Sequence, residues 1–246
     1  MTGESWTRAV RRQLGLGRVL PLGGTGDGIW VTESAVDGAL RQAAQSVAGV
    51  RLGAVRVALA DPEEASVAAV PAPPSALPPG PLRITAEFAA ATAGPLPEAA
   101  DRLRGALTGA AERLGLAADE VDLRVTGLLD GDDGGGDGLP EARRVPAAAQ
   151  QPGGDDDEAR AARAALAVPG VARLTGALGR AVHIERQPAA DTLPRRHVRV
   201  ELATDRGHRA LDVALAVRAA VGDALADHPS VAVLITGVGL EPTGKD

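Results

Sequence analysis

Apolar and polar positions along the chain fall into two similar successions of strand and helix spacing. Leu82 to Phe88 alternates apolar and polar side chains, and so does His197 to Leu202, which predicts two strands with one buried face each. A long amphipathic helix follows each. Leu96, Ala100, Leu103, Leu107, Ala110 and Leu114 recur at helical intervals in the first, and Ala210, Val213, Val217, Val221 and Ala224 in the second. Closing strands then run from Val121 to Gly127 and from Val231 to Gly237, ending on the same Thr-Gly pair. Upstream, Ala43-Ala44, Val47 and Gly49-Val50 are repeated 121 residues later as Ala164-Ala165, Val168 and Gly170-Val171, each block ending a helix at glycine. Leu52-Gly53 and Leu174-Thr175-Gly176 read as turns leading to short strands at Val55 to Leu59 and Val182 to Glu185. Glu87 and Glu201 occupy corresponding places.

The repeat predicts an α+β fold of two tandem small α/β modules, each ordered helix-strand-strand-helix-strand with its short sheet covered by helices. An extra short strand at Ile29 to Val31 precedes the first. The expected boundaries are a basic amphipathic segment at 1–26, a first module at 27–129, a Gly/Asp-rich flexible linker at 130–154, a second module at 155–240 and a tail at 241–246. Within the first module the insertion 61–80 carries Pro71, Pro73, Pro74, Pro78 and Pro79. Prolines at that density forbid a central strand and predict an extended, poorly ordered excursion.

Composition narrows the function classes. The 246 residues contain no Cys, which removes disulfides, thiolate metal sites and cysteine nucleophiles. Trp6, Trp30 and Phe88 are the only aromatics, too few for base-stacking platforms. The net charge of -6 disfavours general affinity for phosphate polymers, and the basic end is residues 1–20, with four Arg against one Glu. Six prolines interrupt the uncharged stretch Val67 to Leu82, so it is no spanning helix, and Gly15, Gly17 and Arg18 break the apolar run a secretory signal needs. A cytoplasmic protein is expected.

Taken in this order, the run Gly28-Ile29-Trp30-Val31-Thr32, the steps at Val47 to Val50 and Val168 to Val171, and the valine-rich closing strands resemble the alkaline shock protein family of bacterial envelope stress response proteins. The resemblance covers both halves. It departs from the family pattern in the tandem arrangement, the proline-rich insertion and the lack of an opening strand before the second helix. It implies a non-enzymatic scaffold that binds a protein partner, a small integral membrane anchor, at the cytoplasmic face of the membrane; homo-oligomers, through pairing of sheet edges, are a separate expectation. It brings no catalytic residue, no cofactor, no metal and no small-molecule substrate.

Candidate chemistry is sparse. His208 and Asp212 stand four apart on a predicted helix, the spacing of a metal pair or of a base with its orienter, but without a third ligand in reach. His183 and His197 fall on successive strands beside Glu185 and Arg199, and read as a solvent-facing pair. Asp130 to Asp137, with Glu141, has acidic residues like a calcium loop but the wrong spacing. Gly23 to Gly28 could cradle phosphate with backbone amides, yet lacks the Lys-Ser/Thr of a P-loop. Trp6, Val10 and Leu14, with Arg8, Arg11 and Arg12, form a weak basic amphipathic turn. The principal alternative function is a KH-like RNA-binding adaptor, whose GxxG clamp would be Gly176-Ala177-Leu178-Gly179 with Arg173, Arg180, Arg195 and Arg196 around it.

Overall fold

The computed structural model describes residues 16–92, 94–129, 148–149, 153–187 and 195–241. Among the described residues the chain is a mixed α+β fold of four helices and nine strands in two sheets. In chain order these are β1 (Val19–Leu22), β2 (Ile29–Thr32), α1 (Glu33–Ala44), β3 (Val50–Leu59), β4 (Leu82–Ala91), α2 (Leu96–Leu114), β5 (Ala118–Leu129), α3 (Asp157–Ala167), β6 (Val171–Leu174), β7 (Val182–Gln187), β8 (Arg195–Asp205), α4 (Ala210–Ala224) and β9 (Ser230–Leu240). Two of the helices start where a side chain satisfies a free amide. Thr32 Oγ1 accepts the Ala35 N–H at 3.3 Å ahead of α1, and Asp156 Oδ1 accepts the Ala159 N–H at 2.8 Å ahead of α3.

Contacts divide the chain into two compact units. The first comprises the described residues among Met1–Ala35, Ser66–Pro79 and Val145–Asp246; the second those among Val36–Ala65 and Gly80–Arg144. The units therefore interleave along the chain. Residues 27–35 and most of the proline-rich stretch, which the repeat places in the first module, belong with the second half of the sequence.

The sheet of the first unit runs β1-β2-β9-β8-β6, with β7 also on β8. β2 lies parallel to β9, Ile29 opposite Val233 and Val31 opposite Ile235, and β9 lies parallel to β8. The opening hairpin thus supplies the strand that the second half of the sequence lacks. β8 and β9 are buried on both faces. One face, with Ile29, Val31, Val198, Val200, Val231 and Val233, is covered by α3 and α4, whose Ala161, Ala165, Val213, Val217 and Val221 are buried. The other carries a core of Val19, Trp30, Val70, Ala232 and Leu234 with Ala68, Ala76 and Leu178 packed against it.

That second core changes the picture of the proline-rich stretch. Its prolines do exclude a strand, as expected, but the excursion is tied down along its length. Ser66 N–H donates to Pro79 O at 2.8 Å, Ala69 N–H to Thr25 O at 3.0 Å, and Leu77 N–H to Val19 O at 2.8 Å. Val70 is buried in the cluster that contains Trp30, where removing a Val side chain from water contributes about 1.5–3 kcal/mol. The apolar residues between the prolines, which the sequence offers without a period, make the segment a cover for the sheet.

The second unit is a three-stranded sheet, β3-β4-β5, with β3 antiparallel and β5 parallel to β4. The helix α2 makes the crossover connection that a parallel β4–β5 pair requires. Period two is kept throughout: Leu82, Ile84, Ala86, Phe88 and Ala90 of β4 are buried, whereas Arg83, Thr85, Glu87 and Ala89 between them are partly or fully exposed. The same open face carries Arg51 and Arg56 of β3 and Glu120, Asp122 and Arg124 of β5, all exposed.

The predicted strand at Val182 is present as β7, but Leu174, expected to open the turn Leu174-Thr175-Gly176, ends an additional strand, β6. β6 and β7 both pair with β8, at Val171–Thr204 and Val182–Val200. They divide between them the edge position that β3 fills alone in the other sheet, and Thr175 to Ala181 forms the break.

Candidate functional site

The break between β6 and β7 is organised by one carboxylate. Glu201 lies in the middle of β8 between Val200 and Leu202, with no exposed surface. Its main chain holds both ends of the break: Thr175 N–H donates to Glu201 O at 2.9 Å, and Glu201 N–H to Ala181 O at 2.8 Å. Its side chain holds the middle, Oε2 accepting the Leu178 N–H at 2.9 Å. Within the turn, Gly179 N–H donates to Gly176 O at 3.1 Å. Arg199 Nε stands 3.5 Å from Glu201 Oε1, and neither atom completes a hydrogen bond among the described residues. Burial pushes the Glu201 carboxyl up to about 7, against the opposing pull of the Leu178 and Ala177 amides and Arg199.

Around it, the strand period gathers polar residues on one face of the sheet. His197 and Arg199 alternate with Val198 and Val200, and β7 sets Glu185 opposite His197 and His183 opposite Arg199. The structure therefore brings together His183, His197, Glu185 and Arg199, as their strand positions predict. It does not make the two imidazoles a solvent-facing pair. His197 is 4% exposed, with Nδ1 2.8 Å from Ser230 Oγ, and desolvation lowers its pKa from the ordinary 6.5. His183 is partly exposed, 3.8 Å from Glu185. Burial arises because β9 and β7 flank β8 on both sides, which periodicity alone does not reveal. Among the described residues no group of three His, Cys, Asp or Glu side chains could hold a metal ion.

The remaining candidates separate. His208 Nδ1 pairs with Asp205 Oδ1 at 2.9 Å and Asp212 with Arg209 at 3.2 Å, so the two do not act together. His208 and the Gly207 N–H hold the Asp205 carboxyl below its usual range. The Gly23 to Gly28 run is the turn of the β1–β2 hairpin, where Asp27 Oδ2 takes the Gly24 N–H at 2.6 Å. The amides offered to phosphate are thereby partly committed to a side chain three residues away. Asp130 to Asp137, Glu141, and the Trp6, Val10 and Leu14 turn lie outside the described residues.

The GxxG loop is the turn that Glu201 holds. A phosphate clamp needs free amides and surrounding cations. Here the Leu178 N–H is taken by a buried carboxylate, and Arg195 and Arg196 begin β8, six residues or about 20 Å along the strand from Glu201. Arg196 bridges Asp157 at 2.5 Å and Asp227 at 3.2 Å, and with Arg160 it draws the Asp157 carboxyl below its usual range. Arg180 reaches Glu158 at 3.5 Å.

Glu201 was visible in the sequence only as the counterpart of Glu87. The sequence around it, alternating apolar and polar like that around Glu87, does not reveal that the strand is buried on both faces. Glu87, on the one-sided sheet of the second unit, is partly exposed.

The second unit presents a different kind of surface. Among the described residues no strand pairs with the outer edge of β5, where Arg104 Nε approaches Val121 O at 3.5 Å, whereas the matching edge of β9 is occupied by β2. Arg83 holds Glu120 at 2.5 Å and Asp122 at 3.6 Å across the open face. Val125 and Leu128 on β5 are 43% and 60% exposed. Such an edge and face can make main-chain and charged contacts with another polypeptide. Among the described residues no helix is long and apolar enough to cross a membrane. No protein-family model matches the chain, and no curated protein matches it.

Proposed function

We propose that the chain is a non-enzymatic scaffold of the alkaline shock type, built from two copies of one module and acting through a protein partner, a small integral membrane anchor, at the cytoplasmic face of the membrane. Repeated local geometry supports the duplication. Gly49 and Gly170 both adopt left-handed backbone, at φ 72° and 92°, immediately before a strand. Both parallel strand pairs slip register at the same point, and there Thr126 Oγ1 donates to Phe88 O and Thr236 Oγ1 to Leu202 O, each at 3.3 Å.

The observation that carries the binding role is the difference between the two sheets. In one, the β9 edge is closed by residues 29–31 and the face away from the helices by residues 66–79. In the other, the equivalent edge and face are open and charged among the described residues. An evolved long edge without such cover is an aggregation hazard unless it has a partner.

The test is affinity copurification of the tagged full chain from gently solubilised cells, halved and treated or not with nuclease. The expected result is one small membrane protein enriched in both halves and lost from the variant Arg51→Glu with Arg56→Glu, but retained by Arg195→Glu, on β8 of the first unit. Nuclease-sensitive RNA without a membrane protein overturns the scaffold reading in favour of the RNA adaptor at Gly176 to Arg180.

A further inference from the structure

The β5 edge contains Val121-Asp122-Leu123-Arg124-Val125, a sequence with the same character read from either end except that its two charges are opposite. We infer that this edge binds the β5 edge of a second copy, antiparallel about a two-fold axis at Leu123, joining two three-stranded sheets into one of six. The inference rests on the reading of β5 as a binding edge and names its occupant.

The register follows from the side chains. A pair centred on Leu123 sets Asp122 of each copy opposite Arg124 of the other, and Val121 opposite Val125, giving two reciprocal charge pairs and two apolar pairs at about 4.5–5.5 Å between Cβ atoms. Faces agree as well. Asp122 and Arg124 lie on the open polar face, while Val121, Leu123 and Val125 lie on the face that β4 buries, and pairing would cover the 43% exposed Val125. A slip of one residue sets charged positions against apolar ones. A slip of two sets Asp122 against Asp122 or Arg124 against Arg124. One register alone satisfies both charge and face. The other edge of the same sheet is not self-complementary, because the charged residues of β3 are Arg51 and Arg56, of one sign.

Within the chain, Asp122 contacts Arg83 only at 3.6 Å while Glu120 holds that guanidinium at 2.5 Å, so Asp122 keeps its charge available at the edge. β5 has no proline, and its two irregularities, between Ala118 and Glu120 and between Val125 and Gly127, lie outside the five-residue palindrome.

Sedimentation of the full chain over a concentration series tests this. A dimer is expected, with Asp122→Arg and Arg124→Asp each raising its Kd at least tenfold and the double reversal Asp122→Arg with Arg124→Asp restoring it to near the starting value. Circular dichroism checks that each variant is folded. Because the chain has no Cys, Leu123→Cys adds an independent readout: mild oxidation should give a disulfide-linked dimer, and Arg51→Cys on β3 should not. A monomer at every concentration, or a double reversal as weak as the singles, overturns the inference. If that monomer loses its copurifying membrane protein on Asp122→Arg, the edge belongs to another polypeptide and only the self-pairing fails; if it keeps that protein, the reading of β5 as the binding edge fails too.

Discussion

Glu201 Oε2 accepts the Leu178 N–H at 2.9 Å from a position with no exposed surface, and this one bond ties the interruption of an edge strand to the middle of the sheet. Its carboxyl titrates at about 7 in the fold against 4.5 ordinarily. The folded state therefore binds more protons than the unfolded one between those values, so this group's contribution is full below about pH 4.5 and is lost as pH rises to about 7. The loss is on the order of 3 kcal/mol. Glu201→Gln keeps an acceptor for Leu178 and should flatten that slope, leaving the variant about 1–3 kcal/mol more stable than the parent at pH 8 in urea unfolding.

His197 works in the opposite sense. Burial lowers its pKa from 6.5, so acidification below 6.5 favours the unfolded chain, which takes up the proton first. His197→Gln preserves a partner for Ser230 Oγ and should remove a loss of stability on the acid side of pH 6.5. Unfolding midpoints at pH 5 and pH 7 for the parent, the two single variants and the double variant separate the two groups.

Trp30 is the largest member of the core under the proline-rich segment and is 1% exposed. Trp30→Ala should cost about 3–5 kcal/mol and open a cavity in the cluster that holds Val70. Limited proteolysis should then cut within Ser66–Pro79, whereas the parent resists there.

Gly49 and Gly170 occupy equivalent turns with unequal room. A Cβ on Gly170 would lie 2.5 Å from Val213 Cγ2 and 2.8 Å from His208 Cγ, whereas one on Gly49 would meet only Ala91 Cβ, at 3.3 Å. Both positions strain an L side chain, by about 1–2 kcal/mol. Gly170→Ala should therefore lower the melting temperature clearly more than Gly49→Ala. Equal shifts would mean that the α4 contact at Gly170 gives way.

What the sequence displays is local. The alternation at Leu82 to Phe88 and the helical spacing of Leu103, Leu107 and Leu114 each appear in the fold as expected. Departures come where distant residues meet. Ile29 looks like an extra strand of the first module because nothing near it says that its partner is Val233. Ala68, Val70 and Ala76 look like loop because prolines hide any period, although the core at Trp30 holds them. The placement of His183 and His197 on neighbouring strands was legible. The burial of His197 and Glu201 was not, because it depends on which strands flank β8. The partly exposed Glu87 shows that the same residue type at a matching place carries no burial signal by itself.

The pairing of Ile29–Val31 with Val233–Ile235 also sets an order of events during synthesis. The strands of the second unit are complete once β5 has emerged, and their pairings are comparatively local. The β1–β2 hairpin has no sheet to join until β9 leaves the ribosome, roughly 200 residues later, a wait on the order of 10–40 s at about 5–20 residues per second. Throughout that interval Trp30 and the β2 edge are exposed on a nascent chain whose neighbouring unit has already closed. Chaperone demand should therefore concentrate on the first thirty or so residues, and a circularly permuted chain that places the hairpin after β9 should fold faster by bringing β2 and its partner close in sequence.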